Sequence, residues 1–278
     1  MPVTRESWIE SHPYLEPVAR FQAAVEALAG ALPRPVFPPP PWDAYAREYD
    51  QGAPLLASDA AGPVLLAGSS RTLELLAGSA AEAPLPEPFR AAARAVSERF
   101  RADAGSSLAA LEALVGRGPP APESPEAGAL RFLSWTALAH ALAPTIAAYG
   151  RWRADREWTH GICPTCGSRP ALSHLVPGTG DAGKRRSLVC ACCGTRWGAR
   201  RVGCPHCGGQ DCGTLAVLTS EEEAGLRLEV CDACQGYVKT WIGEDEDGVL
   251  LSDWATLHLD AAAAERGYQR AGGGLYRL

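Results

Sequence analysis

Eight cysteines fall into four C-x2-C pairs: Cys163 with Cys166, Cys190 with Cys193, Cys204 with Cys207, and Cys231 with Cys234. The steps from Cys163 to Cys204, Cys166 to Cys207, Cys190 to Cys231 and Cys193 to Cys234 are all 41 residues. An offset shared by four positions marks a tandem repeat of the form C-x2-C-x23-C-x2-C. Each copy supplies four thiols, a full tetrahedral set for one metal ion, because two cysteines three apart on a tight turn can aim both sulfurs at one point. Gly167, Gly194 and Gly208 follow three of the pairs, where the turn calls for an unusual backbone that glycine adopts freely, and Gln235 stands in that place in the fourth.

Dithiol redox chemistry is the first competitor. A thioredoxin-type pair should open a helix after a strand in a βαβ unit, and these pairs lack that setting. The start of the chain, M-P-V-T-R-E-S-W-I-E, has early acidic residues and no apolar core, so it reads as a cytoplasmic protein without a secretory signal. A reducing cytosol disfavours structural bridges among the ten cysteines, which leaves metal binding as the expected chemistry. Sequential pairing of the knuckles follows from the repeat, while an interleaved arrangement would need strands exchanged between modules. Four thiolates suit zinc and a single iron alike.

The remaining residues of the cysteine region take quieter readings. Cys192, inside C-A-C-C, and Cys212 read as spectator thiols, and His206, inside C-P-H-C-G, as pointing away from the ion. Lys184, Arg185, Arg186, Arg196, Arg200 and Arg201 read as charge compensation for anionic sites, and Trp197, Tyr237 and Trp241 as packing between ribbons. There is no Ser/His/Asp set, paired-carboxylate motif, phosphate loop or dinucleotide fingerprint, and a site saturated by four thiolates has no open position for hydrolysis, so a non-catalytic role is expected. A net charge of −6 argues against nucleic acid as the main partner.

The elements that position these cysteines follow from composition and periodicity. With 278 residues, 46% hydrophobic and 21% charged, the chain reads as a soluble globular protein of more than one domain. Leu15, Val18, Phe21, Val25, Leu28 and Leu32 recur at steps of three and four, one face of a helix. The run P-R-P-V-F-P-P-P-P that follows predicts an extended spacer, since proline lacks the N–H and fixes φ. Helical patterning resumes over 42–49, 72–76 and 88–115, with 118–128 a linker by composition. The apolar run 132–149 is interrupted by Ser134, His140 and Pro144 and is rich in alanine, so it predicts a buried helix rather than a membrane span.

The expected class is α+β: a helical domain over 1–156, a first four-cysteine ribbon over 157–200, a second over 201–245, and a C-terminal helix and tail over 246–278. Ser252 or Asp253 is the expected cap of that last helix and Gly267 its stop.

Several stretches together resemble one family. H-P-Y-L at 12–15, F-Q at 21–22, the W-D-x-Y…Y-D-x-G-x-P-L-L run over 42–56, the four knuckles, C-D-A-C-Q-G-Y-V-K at 231–239 and the closing A-A-A-A-E-R-G-Y are similar to the formate dehydrogenase accessory proteins of the E type. The likeness spans nearly the whole chain. It implies a cytoplasmic, non-catalytic assembly factor that binds the catalytic subunit of a formate dehydrogenase and supports its maturation, with rubredoxin-like sites. Iron is then the favoured occupant and zinc the alternative, one ion in each four-cysteine site. The resemblance further implies small oligomers, a homodimer first, and makes the eight knuckle cysteines the functional residues. The alternative function is rubredoxin-like electron transfer or redox sensing.

Overall fold

The computed structural model describes residues 3–120, 124–176, 185–220, 223, 225–244 and 248–276. Lys184, the centre of the 118–128 linker and three residues of the acidic E-D-E-D-G turn lie outside the described residues. The chain divides into two units: Met1–Ala19, Glu157–Cys163 and Ser168–Leu278 form one, and Arg20–Arg156 with Pro164–Gly167 the other. The sequence boundary at 156 therefore differs from the structural one at the N-terminus. Trp8, Leu15 and Ala19 share a buried cluster with strand residues Leu226, Leu228 and Val230, so the first residues count with the cysteine-bearing part.

Helices α1 (Arg5–Ser11), α2 (Glu16–Ala31), α3 (Trp42–Asp50), α4 (Gly62–Glu82), α5 (Glu87–Ala102), α6 (Ser106–Leu114) and α7 (Ala127–Trp152) account for the first part of the chain. The pattern over 88–115 resolves into two helices. Asp103 breaks it, its side chain accepting from Gly105 N–H at 3.1 Å and its carbonyl from the Ser106 hydroxyl at 2.7 Å. The proline-rich stretch between α2 and α3 forms neither helix nor strand. In α7, His140 Nε2 lies 3.2 Å from the Leu32 carbonyl, and Leu133, Leu138 and Ala141 are buried. Among the described residues no helix is long and apolar enough to cross a membrane.

The helical unit also holds the Pro164–Gly167 turn. Pro164 O accepts from Leu55 N–H at 2.8 Å and from the Tyr149 hydroxyl at 3.1 Å, and Thr165 O accepts from Leu56 N–H at 2.9 Å. Tyr149 is fully buried beside Tyr45, and Trp42 stacks on Trp152 with centroids 5.1 Å apart.

Among the described residues six strands make one sheet in the order β3-β2-β1-β6-β5-β4: β1 (Leu172–Val176), β2 (Arg185–Val189), β3 (Arg196–Ala199), β4 (Leu215–Thr219), β5 (Leu226–Cys231) and β6 (Gly236–Ile242). Each cysteine repeat contributes an antiparallel set of three, β1-β2-β3 and β4-β5-β6. The sets join through parallel pairing of β1 with β6, Leu172 opposite Lys239 and Leu175 opposite Ile242. Ribbons that the sequence boundaries separate at 200 are thus fused edge to edge, because an exposed strand edge carries unpaired N–H and C=O groups that a second ribbon can satisfy.

One face of the second set buries Leu226, Leu228 and Val230 opposite Trp241, Lys239 and Tyr237. Across this face lies the C-terminal helix α8 (Leu257–Glu265), whose Leu259 and Ala263 share that buried cluster. The expected cap of α8 differs. A 3-10 turn at Trp254–Thr256 precedes the helix, and neither Ser252 nor Asp253 caps it through its side chain. Asp253 is instead buried and ion-paired with Lys239 at 3.1 Å and Arg270 at 2.6 Å. Gly267, at φ 83, does close α8: its N–H donates to Ala264 O and that of Tyr268 to Ala263 O, a paired C-terminal stop.

Candidate metal centres

All four C-x2-C knuckles have the same local build. Cys163 N–H donates to Ser168 O at 2.8 Å, Cys190 N–H to Thr195 O at 2.9 Å and Cys204 N–H to Gly209 O at 2.8 Å, while Cys231 pairs with Gly236 in the β5–β6 ladder. Closing a loop of six residues this tightly needs a left-handed residue after the second cysteine. Gly167, Gly194 and Gly208 sit there at φ 76, 74 and 75, and Gln235 adopts φ 55. Gln235 compensates with two hydrogen bonds: its amide donates to Asp232 O at 2.8 Å, and its carbonyl accepts from Gln269 N–H at 2.7 Å.

The knuckles converge in sequential pairs. Cys163, Cys166, Cys190 and Cys193 form one group and Cys204, Cys207, Cys231 and Cys234 the other, with the sulfurs of each within 4.8 Å of one another. Cys163 and Cys193 Sγ are 3.6 Å apart, Cys204 and Cys234 3.6 Å, and Cys207 and Cys231 3.8 Å. A tetrahedron with metal–sulfur bonds of about 2.3 Å has edges of about 3.8 Å. A disulfide would need about 2.05 Å, well short of these separations, and no disulfide joins these cysteines among the described residues. Donor chemistry and spacing both fit one thiophilic ion per group.

Surroundings distinguish the two groups. The first is buried throughout, whereas Cys207 and Cys234 of the second are exposed. Burial pushes the Cys204 thiol up to about 12, and burial also raises Cys234, whereas the backbone N–H of Gly209 holds Cys207 below the usual thiol range. The backbone N–H of His206 donates to Cys204 Sγ at 3.4 Å. Such bonds favour a thiolate, and a bound cation completes that preference.

The neighbouring residues follow their own partners. His206 Nε2 lies 2.9 Å from the Tyr237 carbonyl, outside the four-sulfur group. Cys192 is buried and Cys212 exposed, and among the described residues neither belongs to a cluster. Arg186 does not serve the sulfurs alone: it is buried in an ion pair with Glu229 at 2.7 Å and donates to Gly203 O and Ser173 Oγ, each at 3.0 Å. Trp197 and Tyr237 are buried in packing.

A third cluster has no counterpart in the sequence reading. His12, Glu223 and His258 bring two imidazoles and a carboxylate within 4.8 Å of one another. No regular spacing announces it, since His12 and Glu223 are 211 residues apart. Equally unannounced is the buried group around Lys239, whose Nζ lies 2.8 Å from Asp260 and 3.1 Å from Asp253.

Comparison with known proteins places this arrangement among relatives. Residues 162–201 match the family model for the FdhE central domain and 202–276 that for the FdhE C-terminal domain. A protein FdhE homolog of Stutzerimonas stutzeri is 31% identical over 268 residues, 94% of this chain and 83% of that protein. Another, of Rhizobium meliloti, is 38% identical over 115 residues, 40% of this chain and 37% of that protein. The crystal structure of the FdhE protein from Pseudomonas aeruginosa superposes with a TM-score of 0.67 at 26% identity, covering 99% of this chain and 97% of that one.

Proposed function

The chain belongs to the FdhE family, whose Stutzerimonas relative it matches along 94% of its length, and on that premise we propose that it is a cytoplasmic assembly factor that binds the catalytic subunit of formate dehydrogenase and supports its maturation. The observation that carries this reading is a pair of four-sulfur groups within a chain that matches an FdhE homolog along 94% of its length. Four thiolates fill a tetrahedral ion, leaving no position for a substrate, and this supports a binding rather than a catalytic role.

In this reading Cys163, Cys166, Cys190 and Cys193 hold one ion and Cys204, Cys207, Cys231 and Cys234 the other. Iron is the favoured occupant and would supply a one-electron centre; zinc in the same place would be purely structural. Either way each ion ties the knuckled end of its own three-stranded set, β1-β2-β3 or β4-β5-β6, which would hold a rigid surface toward the client.

The test is affinity capture of the full chain from cells grown where formate dehydrogenase is required, with metal analysis of the same eluate. The formate dehydrogenase catalytic subunit should co-purify at a near-stoichiometric level, together with iron. Its absence from the eluate across such growth conditions overturns the proposal.

A further inference from the structure

We propose that His12, Glu223 and His258 form a third metal site, taking one divalent transition ion of the zinc or ferrous class through two imidazole nitrogens and a carboxylate. His12 Nε2 lies 2.9 Å and His258 Nε2 3.0 Å from the same Glu223 oxygen, Oε1. The three side chains are only 8%, 15% and 9% exposed for His12, His258 and Glu223, so water does not account for their polar atoms.

Hydrogen bonding leaves this group incomplete. His258 Nε2 meets Glu223 Oε1 at 3.0 Å, and among the described residues neither His258 Nδ1 nor Glu223 Oε2 has a hydrogen-bond partner. A buried polar atom left unpaired is costly, so His258 Nδ1 and Glu223 Oε2 together mark a place suited to a cation.

His12 is oriented as a ligand would be. Its ring stacks on Trp8 with centroids 3.8 Å apart, and Nδ1 lies 3.1 Å from the Trp8 carbonyl and 3.0 Å from Ser11 Oγ. In the tautomer with its proton on Nδ1, toward the Trp8 carbonyl, His12 turns the Nε2 lone pair to the carboxylate, the form that a metal ion takes. An ion bound to Nε2 and Glu223 Oε1 would take the place of the 2.9 Å contact that a proton otherwise bridges. A backbone carbonyl behind the far nitrogen is the usual support of a metal-bound imidazole.

The dimensions allow it. Bonds of about 2.1 Å around a tetrahedral ion separate neighbouring N and O ligands by about 3.4 Å. The N–O separations of 2.9 and 3.0 Å need only a small widening through side-chain rotation. Two nitrogens and an oxygen form a borderline donor set, distinct from the soft four-sulfur groups, and three protein ligands leave a fourth place for water. The ligands come from the end of α1, the β4–β5 connection and α8, so an ion here clasps the N-terminal helix to the second ribbon across 211 residues of chain.

The experiment loads the full chain with Co2+ and passes it through gel filtration in metal-free buffer. Wild type should retain three equivalents, one per cluster. Two should show intense sulfur-to-cobalt charge transfer, and the third only the weak ligand-field bands of nitrogen and oxygen donors. Glu223→Gln and His258→Gln should each drop the count to two while keeping the charge-transfer intensity, which doubles as proof that the ribbons remain folded. Retention of only two equivalents by wild type overturns the proposal, as does a third equivalent that survives in both variants.

Discussion

Gln235 occupies a conformation that the other three knuckles reserve for glycine, at φ 55. A left-handed non-glycine residue costs about 1–2 kcal/mol, part of which its side-chain bond to Asp232 O returns. Gln235→Gly is expected to stabilise the protein by about 1 kcal/mol or less, whereas Gln235→Val, β-branched and without the amide, should destabilise it. The shift of the urea midpoint decides between them. The cysteines allow a second prediction at this scale. Cys207 and Cys234 are exposed while all four sulfurs of the first group are buried, so a chelator should strip the second site well before the first. Cys204→Ser should lose one equivalent and Cys163→Ser the other, each unfolding its ribbon, because structural metal contributes on the order of 10 kcal/mol to such modules. Metal content against chelation time, followed in wild type and both variants, measures this. What was legible here was local: a C-x2-C-G turn closes within six residues, so the sequence alone announces it.

At the scale of elements, β6 is the seam of the sheet. Thr240 pairs with Ser173 on β1 and with Arg227 on β5, so its backbone lies between two partners. By contrast β4 is an edge strand, and Val217 on it is 49% exposed. Thr240→Pro should therefore cost about 3 kcal/mol or more and loosen both ribbons, releasing metal from both sites, while Val217→Pro should cost far less and disturb the second ribbon alone. Hydrogen exchange along β1 and β5 in the two variants reads the difference. The sequence announced helices where apolar residues recur at three and four, and it announced two ribbons from the 41-residue offset. It carried no mark of their fusion, because parallel pairing of β1 with β6 joins backbones about 67 residues apart through groups that every residue type possesses. Nor did it mark the break at Asp103, where a short polar side chain outbids the helix for the backbone.

For the whole molecule, the charges that matter most are buried ones brought together from distant places. Lys239 and Arg270 face Asp253 and Asp260, and all but Arg270 are nearly inaccessible, with the Tyr237 hydroxyl donating to Asp260 at 2.6 Å. Removing one member leaves an uncompensated buried charge, so Lys239→Ala should cost about 3–5 kcal/mol in chemical denaturation. Burial opposes ionisation of Asp253, but Lys239 and Arg270 beside it outweigh that and hold its carboxyl below the usual range. A depressed carboxylate stabilises the fold above its ordinary pKa of about 3.9 and loses that contribution as pH falls through the folded value. The stability gap between wild type and Asp253→Asn should therefore be full at neutral pH and close progressively below about pH 4. By itself the sequence determined the α+β class, the family and the four knuckles, since periodicity, offset and turn chemistry are properties of neighbouring residues. Tertiary structure alone decided that the ribbons share one sheet, that Lys239 of C-D-A-C-Q-G-Y-V-K is a buried ion-pair partner, and that His12, Glu223 and His258 meet. Those depend on contacts between residues far apart in the chain, and such contacts leave no period or spacing to read.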